Sequence, residues 1–185
     1  MKLYFIRHGQ SETNLSKCWT GWLDAKLTEN GRNDARIAGR FLDGVPFDKV
    51  FSSDLSRAKT TAELALPGYD IETTPLLREI SAGSIEGTPV ESIDRSLVTD
   101  GFACFGGETR EELSERVRAF LERVEKLECE TVAAFTHGGF IMAVLDEVLG
   151  TVIPRKAVKC ANCTIAVLEY ADGAWMLHSW INTKG

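Results

Sequence analysis

The sequence lacks any apolar run near the ~18 residues that a bilayer-spanning helix requires, which excludes a helical membrane span. It also lacks an excess of positive charge: 21 Lys and Arg against 27 Asp and Glu leave a formal net charge of −6. General nucleic-acid binding depends on neutralising many phosphates with cations, so that class is excluded. An acidic chain can still focus positive charge in one cleft, so a small anionic substrate stays open. A paired cysteine framework is missing as well. Cys18, Cys104, Cys129, Cys160 and Cys163 are odd in number and unevenly spaced, unlike a secreted disulfide scaffold. The apolar start from Met1 to Ile6 is short and has no small-residue cleavage site after it, so it reads as a strand and not a signal peptide. A reducing cytoplasm is the expected location. There are no internal repeats, low-complexity tracts or linkers, so residues 1–185 are expected to form one domain.

What is present is an ordinary globular balance, 44% hydrophobic and 26% charged, enough at this length to bury about two thirds of the unfolded surface. Apolar runs alternate with helical patterns. Leu3 to Ile6 reads as a buried strand, and Thr28 as the cap of a helix reaching about Leu42. Phe47 to Ser52 reads as a second strand. Ser53 or Asp54 would cap the next helix, which ends before Pro67-Gly68. Thr88-Pro89-Val90-Glu91 has the form of a capping box with proline at the first helical position, so a short helix is expected there. Thr109-Arg110-Glu111-Glu112 is a second capping box. Behind it, Leu113, Val117, Phe120, Leu121, Val124 and Leu127 keep helical spacing on one face. Thr131 to Thr136 is the next strand, and Gly139 to about Leu149 the next helix. Thr164 to Tyr170 and Ala174 to Ile181 alternate as strands around an Asp172-Gly173 turn. The expected architecture is α/β: a three-layer α/β/α sandwich with a mostly parallel central sheet and a C-terminal hairpin.

Sites in open α/β sheets form beyond the carboxyl ends of the strands. Arg7-His8-Gly9-Gln10 follows the first strand. Ser52-Ser53 leads to Arg57 in the first turn of a helix, and His137-Gly138-Gly139 follows the fourth strand. Two histidines and two arginines thus meet on one sheet edge. Neutral imidazole is a nucleophile that can carry a covalent intermediate. Arginine forks match phosphoryl oxygens. The glycines after His137 allow close backbone approach at the positive end of a helix. The set suits phosphoryl transfer.

The run from Leu3 through Arg7-His8-Gly9-Gln10-Ser11-Glu12-Thr13-Asn14 resembles the signature of the histidine phosphatase superfamily, which includes the cofactor-dependent phosphoglycerate mutases. Five further segments are similar in the same order. They are Leu27-Thr28-Glu29-Asn30-Gly31, Ser52 to Ala62 around Arg57, Leu77-Arg78-Glu79, Gly106-Gly107-Glu108-Thr109 and Thr136-His137-Gly138-Gly139. The resemblance covers about residues 3 to 150 and points to the small phosphatase branch.

It implies His8 as the phosphohistidine nucleophile, with Arg7, Arg57, His137, Asn14 and Gly138 holding the phosphoryl group. Glu79 would protonate the leaving oxygen and then activate water. Thr20, Gly21 and Trp22 would face the substrate. A small phosphorylated metabolite is the implied partner, with no metal, cofactor, nucleic acid or membrane. One stretch departs from the family: Ile80-Ser81-Ala82-Gly83-Ser84-Ile85-Glu86-Gly87 keeps the glycines and Glu86 but not the usual aromatics, which alters the substrate mouth. Mutases of the family generally insert more chain between the acidic residue and the second histidine. The short span from Glu79 to His137 therefore favours a phosphatase. A phosphoglycerate mutase is the alternative, and a non-catalytic phospholigand module the third reading.

Three other features read as structural. Cys104 and Arg110 have the Cys-x5-Arg spacing of tyrosine phosphatases, but Glu108, Glu111 and Glu112 would repel a phosphate. Cys160-Ala161-Asn162-Cys163 has no second cysteine pair to complete a zinc site. His178 alternates with Trp175, Leu177 and Trp180 and is expected half-buried in a strand. Trp19 and Trp22 stand near the substrate entrance, where packing or an organic leaving group would explain them.

Overall fold

The computed structural model describes residues 1–183. Six strands form one sheet: β1 (Lys2–Arg7), β2 (Lys49–Ser53), β3 (Ile71–Thr74), β4 (Thr131–Thr136), β5 (Ile165–Ala171) and β6 (Ala174–Ile181). Their spatial order is β3-β2-β4-β1-β5-β6. The first four in that order run parallel, and β5 and β6 are antiparallel. Asp172 and Gly173 both take positive φ in the turn between β5 and β6, as a two-residue hairpin requires. Five α-helices accompany the sheet: α1 (Glu12–Leu15), α2 (Glu29–Phe41), α3 (Ser56–Ala65), α4 (Arg110–Glu125) and α5 (Gly138–Leu149).

Strand periodicity decides the layers. Leu3, Phe5, Val132 and Ala134 point to one face and meet Val117, Phe120 and Ile141 of α4 and α5. Ile6, Val50, Ala133 and Phe135 point to the other and meet Ala62 and Ala65 of α3 with Leu42 at the end of α2. The result is the expected three-layer sandwich, and the domain assignment extends two residues beyond the described chain. Thr28 and Thr109 cap α2 and α4 through their side chains, the latter in a full capping box.

Four local expectations fail, each for a tertiary reason. No side chain of its own caps α3, whose N-cap is Leu55. Asp54 is held by Arg78 and Ser53 by His137, so the first-turn amide of Ser56 donates to distant Asp24 instead. Thr88 caps nothing either: its hydroxyl donates to Ile85 O. Pro89 is extended and bridges to Cys18, so only a three-residue 3-10 turn, Val90–Ser92, follows. The second strand starts at Lys49 because Phe47 is drawn into the core beside Tyr4. His178 is exposed, not half-buried, and stands 3.4 Å from Glu169 on the neighbouring strand. The short strand β3 gave no alternation to read, since only Thr74 of its four residues is buried.

Candidate active site

Sheet register builds the site. Arg7 of β1 lies beside Thr136 of β4, and Ser52 of β2 beside Phe135. His8 and His137 therefore leave the sheet side by side, next to Ser53 at the end of β2. The His8 amide donates to Thr136 O at 2.9 Å, which locks the two loops together. The imidazole rings of His8 and His137 stand 5.1 Å apart. Arg57, two residues into α3, is fully buried beneath them.

Hydrogen bonding then assigns roles to the ring nitrogens. His8 Nδ1 lies 2.7 Å from Gly9 O. A carbonyl only accepts, so Nδ1 carries the ring hydrogen and Nε2 presents its lone pair. His137 Nε2 meets Ser53 Oγ at 2.9 Å. Its Nδ1 has no protein partner, and neither do the buried Nε atoms of Arg7 and Arg57. Three of the other guanidinium nitrogens are committed. Arg57 donates to Gly21 O and Leu23 O, and Arg7 to Cys160 O. Three buried nitrogens left open are unusual in a folded protein. An oxyanion would satisfy the two guanidinium donors, and His137 Nδ1 as well in the tautomer in which the Ser53 hydroxyl donates to Nε2.

Electrostatics keeps His8 neutral. Burial, then the Arg57 and Arg7 charges, hold His8 well below its ordinary value of 6.5, against the opposing bond to Gly9. Burial and then Arg57, with smaller effects from His8, Arg7 and Arg116, do the same to His137. Burial pushes Arg57 down to about 10, so it keeps its charge at neutral pH. A pH effect follows. Below about pH 6.5 the unfolded chain takes up protons on both imidazoles while the folded chain does not, so stability is present above that pH and is lost on acidification. The loss is up to about 1.4 kcal/mol per imidazole per pH unit. Thermal melts are expected at lower temperature at pH 5.5 than at pH 7.5, with a smaller gap in His8→Gln. An equal gap in that variant would remove His8 from the account.

Glu79 faces this set from the opposite wall. Its Oε2 accepts from Gly139 N at 3.0 Å and its Oε1 from Ile80 N at 3.0 Å. Gly139 is glycine for this reason: a Cβ there would stand 2.2 Å from Glu79 Oε1. Gly139→Ala is expected to displace the carboxyl and lower kcat about 100-fold, with Tm little changed; steady-state kinetics and a melt check both. Gly138 approaches the Arg7 guanidinium, which a Cβ would meet at 3.2 Å. Arg116 of α4 fixes the Glu79 loop from behind, donating to the carbonyls of Leu76, Arg78 and Glu79 while paired with Glu108.

A cavity of about 460 Å³ opens beside Arg7 and Glu79; His8, Arg57 and His137 are not among the residues that line it. Arg7, Asn14, Thr20, Gly21, Glu79 and Gly138 line it. Thr20 is held by Thr13, and Gly21 has positive φ with Glu86 filling the space its Cβ would occupy. Trp22 turns to another task. Its indole N–H donates to Glu79 O at 2.7 Å, and the Arg78 guanidinium lies over its ring. Trp19 does line the cavity, edge-on to Phe102. Cys104 is exposed and its thiol points to Leu97 O. Burial raises the Cys160 thiol to about 11, leaving little thiolate for metal or redox work. Among the described residues no group of three His, Cys, Asp or Glu is placed to hold a metal ion. Arg116, Asn162 and Arg155 reach the site without any motif to announce them. Arg116 looks like one more charge on a charged helix, and Asn162 sits inside the Cys-x-x-Cys segment.

The family model of the histidine phosphatase superfamily, branch 1, matches residues 3–183. The chain belongs to this superfamily. The chain is 29% identical to a probable phosphoglycerate mutase, GpmB, of Photorhabdus laumondii, over 98% of this chain and 90% of that protein. It superposes at a TM-score of 0.86 and 28% identity on a mycobacterial glucosyl-3-phosphoglycerate phosphatase in complex with VO3, covering 97% and 98% of the two chains. A phosphoserine phosphatase of Entamoeba histolytica in complex with 3-phosphoglyceric acid matches at 0.85 and 26% identity, covering 99% and 98%. No helix of the described residues is long and apolar enough to cross a membrane.

Proposed function

We propose that this histidine phosphatase hydrolyses a small phosphomonoester, without a metal, by way of a phosphohistidine on His8. One observation carries the reading: the open Nε2 of His8 shares a buried site with three unpartnered nitrogens, on Arg7, Arg57 and His137. In the first step His8 Nε2 attacks phosphorus as the bond to the leaving oxygen breaks, and Glu79 gives that oxygen its proton. In the second, water attacks the phosphohistidine, Glu79 takes the water's proton, the P–N bond breaks and inorganic phosphate leaves. Arg7, Arg57 and His137 bind the equatorial oxygens, where negative charge collects.

The leaving group is organic. The cavity exceeds what a phosphoryl group fills, and Trp19, Ile80, Phe102 and Met142 give it apolar walls. The five free cysteines fit a reducing cytoplasm. A phosphoglycerate mutase is the second reading, favoured by the bacterial relative, itself a probable phosphoglycerate mutase. The short span between Glu79 and His137 favours water as acceptor. Turnover of p-nitrophenyl phosphate in chelator, followed by a panel of phosphometabolites, tests the proposal. Loss of activity in chelator would end metal independence. Bisphosphoglycerate-primed interconversion of phosphoglycerates would establish the mutase, and no turnover at all would leave a binding module.

A further inference from the structure

The segment Cys160–Cys163 does no cysteine chemistry, yet it touches the catalytic loop three times. Cys160 O accepts from Arg7, the Cys163 amide donates to the carbonyls of Arg7 and His8, and the Asn162 side chain reaches between His8 and Asn14. Asn162 Nδ2 donates to His8 O at 3.1 Å and to Asn14 Oδ1 at 3.1 Å. The direction of both amides is settled by backbone groups. His8 O can only accept, so the Asn162 atom facing it is the NH2. The Ser11 amide can only donate, so the Asn14 atom facing it, at 3.3 Å, is the oxygen. Asn14 Oδ1 therefore receives two donors, and its own NH2 is turned to the cavity that Asn14 lines.

We propose that Asn162 is a positioning residue that sets the polarity of Asn14, so that Asn14 presents a hydrogen-bond donor to the phosphoryl group. This rests on the reading of the cavity floor as a phosphoryl site. The Ser11 amide alone holds Asn14 with one bond at 3.3 Å, near the limit of hydrogen bonding. Removing the Asn162 donor leaves the flipped amide, with oxygen toward the phosphoryl oxygens, open to Asn14. Replacing that donor by a carboxylate goes further. It sets oxygen against both His8 O and Asn14 Oδ1 and drives the flip.

The test is a double-mutant cycle. Asn162→Asp, Asn162→Ala, Asn14→Ala and the double variant Asn14→Ala/Asn162→Asp are each measured in two ways. Orthovanadate binding is followed by calorimetry, and kcat and KM with p-nitrophenyl phosphate by steady-state assay. Asn162→Asp is expected to weaken vanadate binding about 10- to 100-fold, the range of one hydrogen bond to a charged group. Asn162→Ala is expected to fall short of that. In the Asn14→Ala background, Asn162→Asp should change binding less than about 3-fold. Equal losses in both backgrounds would overturn the proposal, because Asn162 would then act without Asn14. So would an Asn162→Ala loss as large as that of Asn162→Asp. Thermal melts confirm that the variants fold. The binding arm does not depend on turnover, so wild-type protein that binds vanadate but hydrolyses nothing would sink the phosphatase reading and leave the Asn162 result standing on its own.

Discussion

His8→Ala is expected to lower kcat for p-nitrophenyl phosphate by about 10⁵- to 10⁶-fold, the scale seen when a covalent nucleophile is removed. The physical basis is that no other group can take its place. His137 Nε2 is engaged by Ser53 and its ring is buried. The thiol of Cys160 is held protonated by burial, and Glu79 is tied to the amides of Ile80 and Gly139. Vanadate binding should survive, since the Arg7, Arg57 and His137 donors remain. Acid-labile phosphoprotein formed from a radiolabelled substrate should disappear with the activity. Activity within about 10-fold of wild type would end the covalent mechanism.

Glu79→Gln should show a loss that depends on the leaving group. Nitrophenolate departs without needing a proton, so with p-nitrophenyl phosphate only the second step suffers. An alkyl phosphate expels a poor leaving oxygen and needs the acid in the first step as well. General acid–base catalysis is worth about 10²- to 10⁴-fold. We expect the lower end of that range for the aryl ester and the upper end for an alkyl ester. Gln keeps one oxygen to accept from Gly139 N and gives up only the bond from Ile80 N, so KM should change little. Equal losses for both substrates would deny Glu79 the role of acid. Arg116 and Trp22 bear on the same carboxyl from outside the cavity, because both donate to Glu79 O.

The layers of the fold were legible because they rest on local rules. Apolar strands at residues 3–6 and 131–136, alternating along the chain with helical patterns, implied a sheet covered on both sides, and the core clusters lie on both faces. Thr28 and Thr109 capped the helices their spacing implied. Local rules failed where a tertiary partner outbid them. Ser53 and Asp54 had cap chemistry, but His137 and Arg78 claimed it. Thr88-Pro89 had the form of a capping box, but pairing of Pro89 with Cys18 kept the chain extended.

The candidate site divides in the same way. His8, Arg57 and His137 were visible in the linear chain because each follows a recognisable strand, whereas Glu79 was named only through the resemblance of Leu77-Arg78-Glu79 to a family segment. Trp22 was expected on the substrate, and its indole instead spans to the backbone of Glu79. Asn162 and Arg116 carried no signal, since their work is to hold other residues' carbonyls, and any chain can supply a carbonyl. Residue type and spacing, with the family resemblance that six ordered segments carry, point to phosphoryl-transfer chemistry, because two histidines, two guanidinium forks and a carboxyl are recognisable by kind. Only folding decides which nitrogen of His8 is free, which donors are left open and which way Asn14 points. Those are matters of hydrogen-bond direction, and a direction exists only once parallel strands have set residues far apart in sequence side by side.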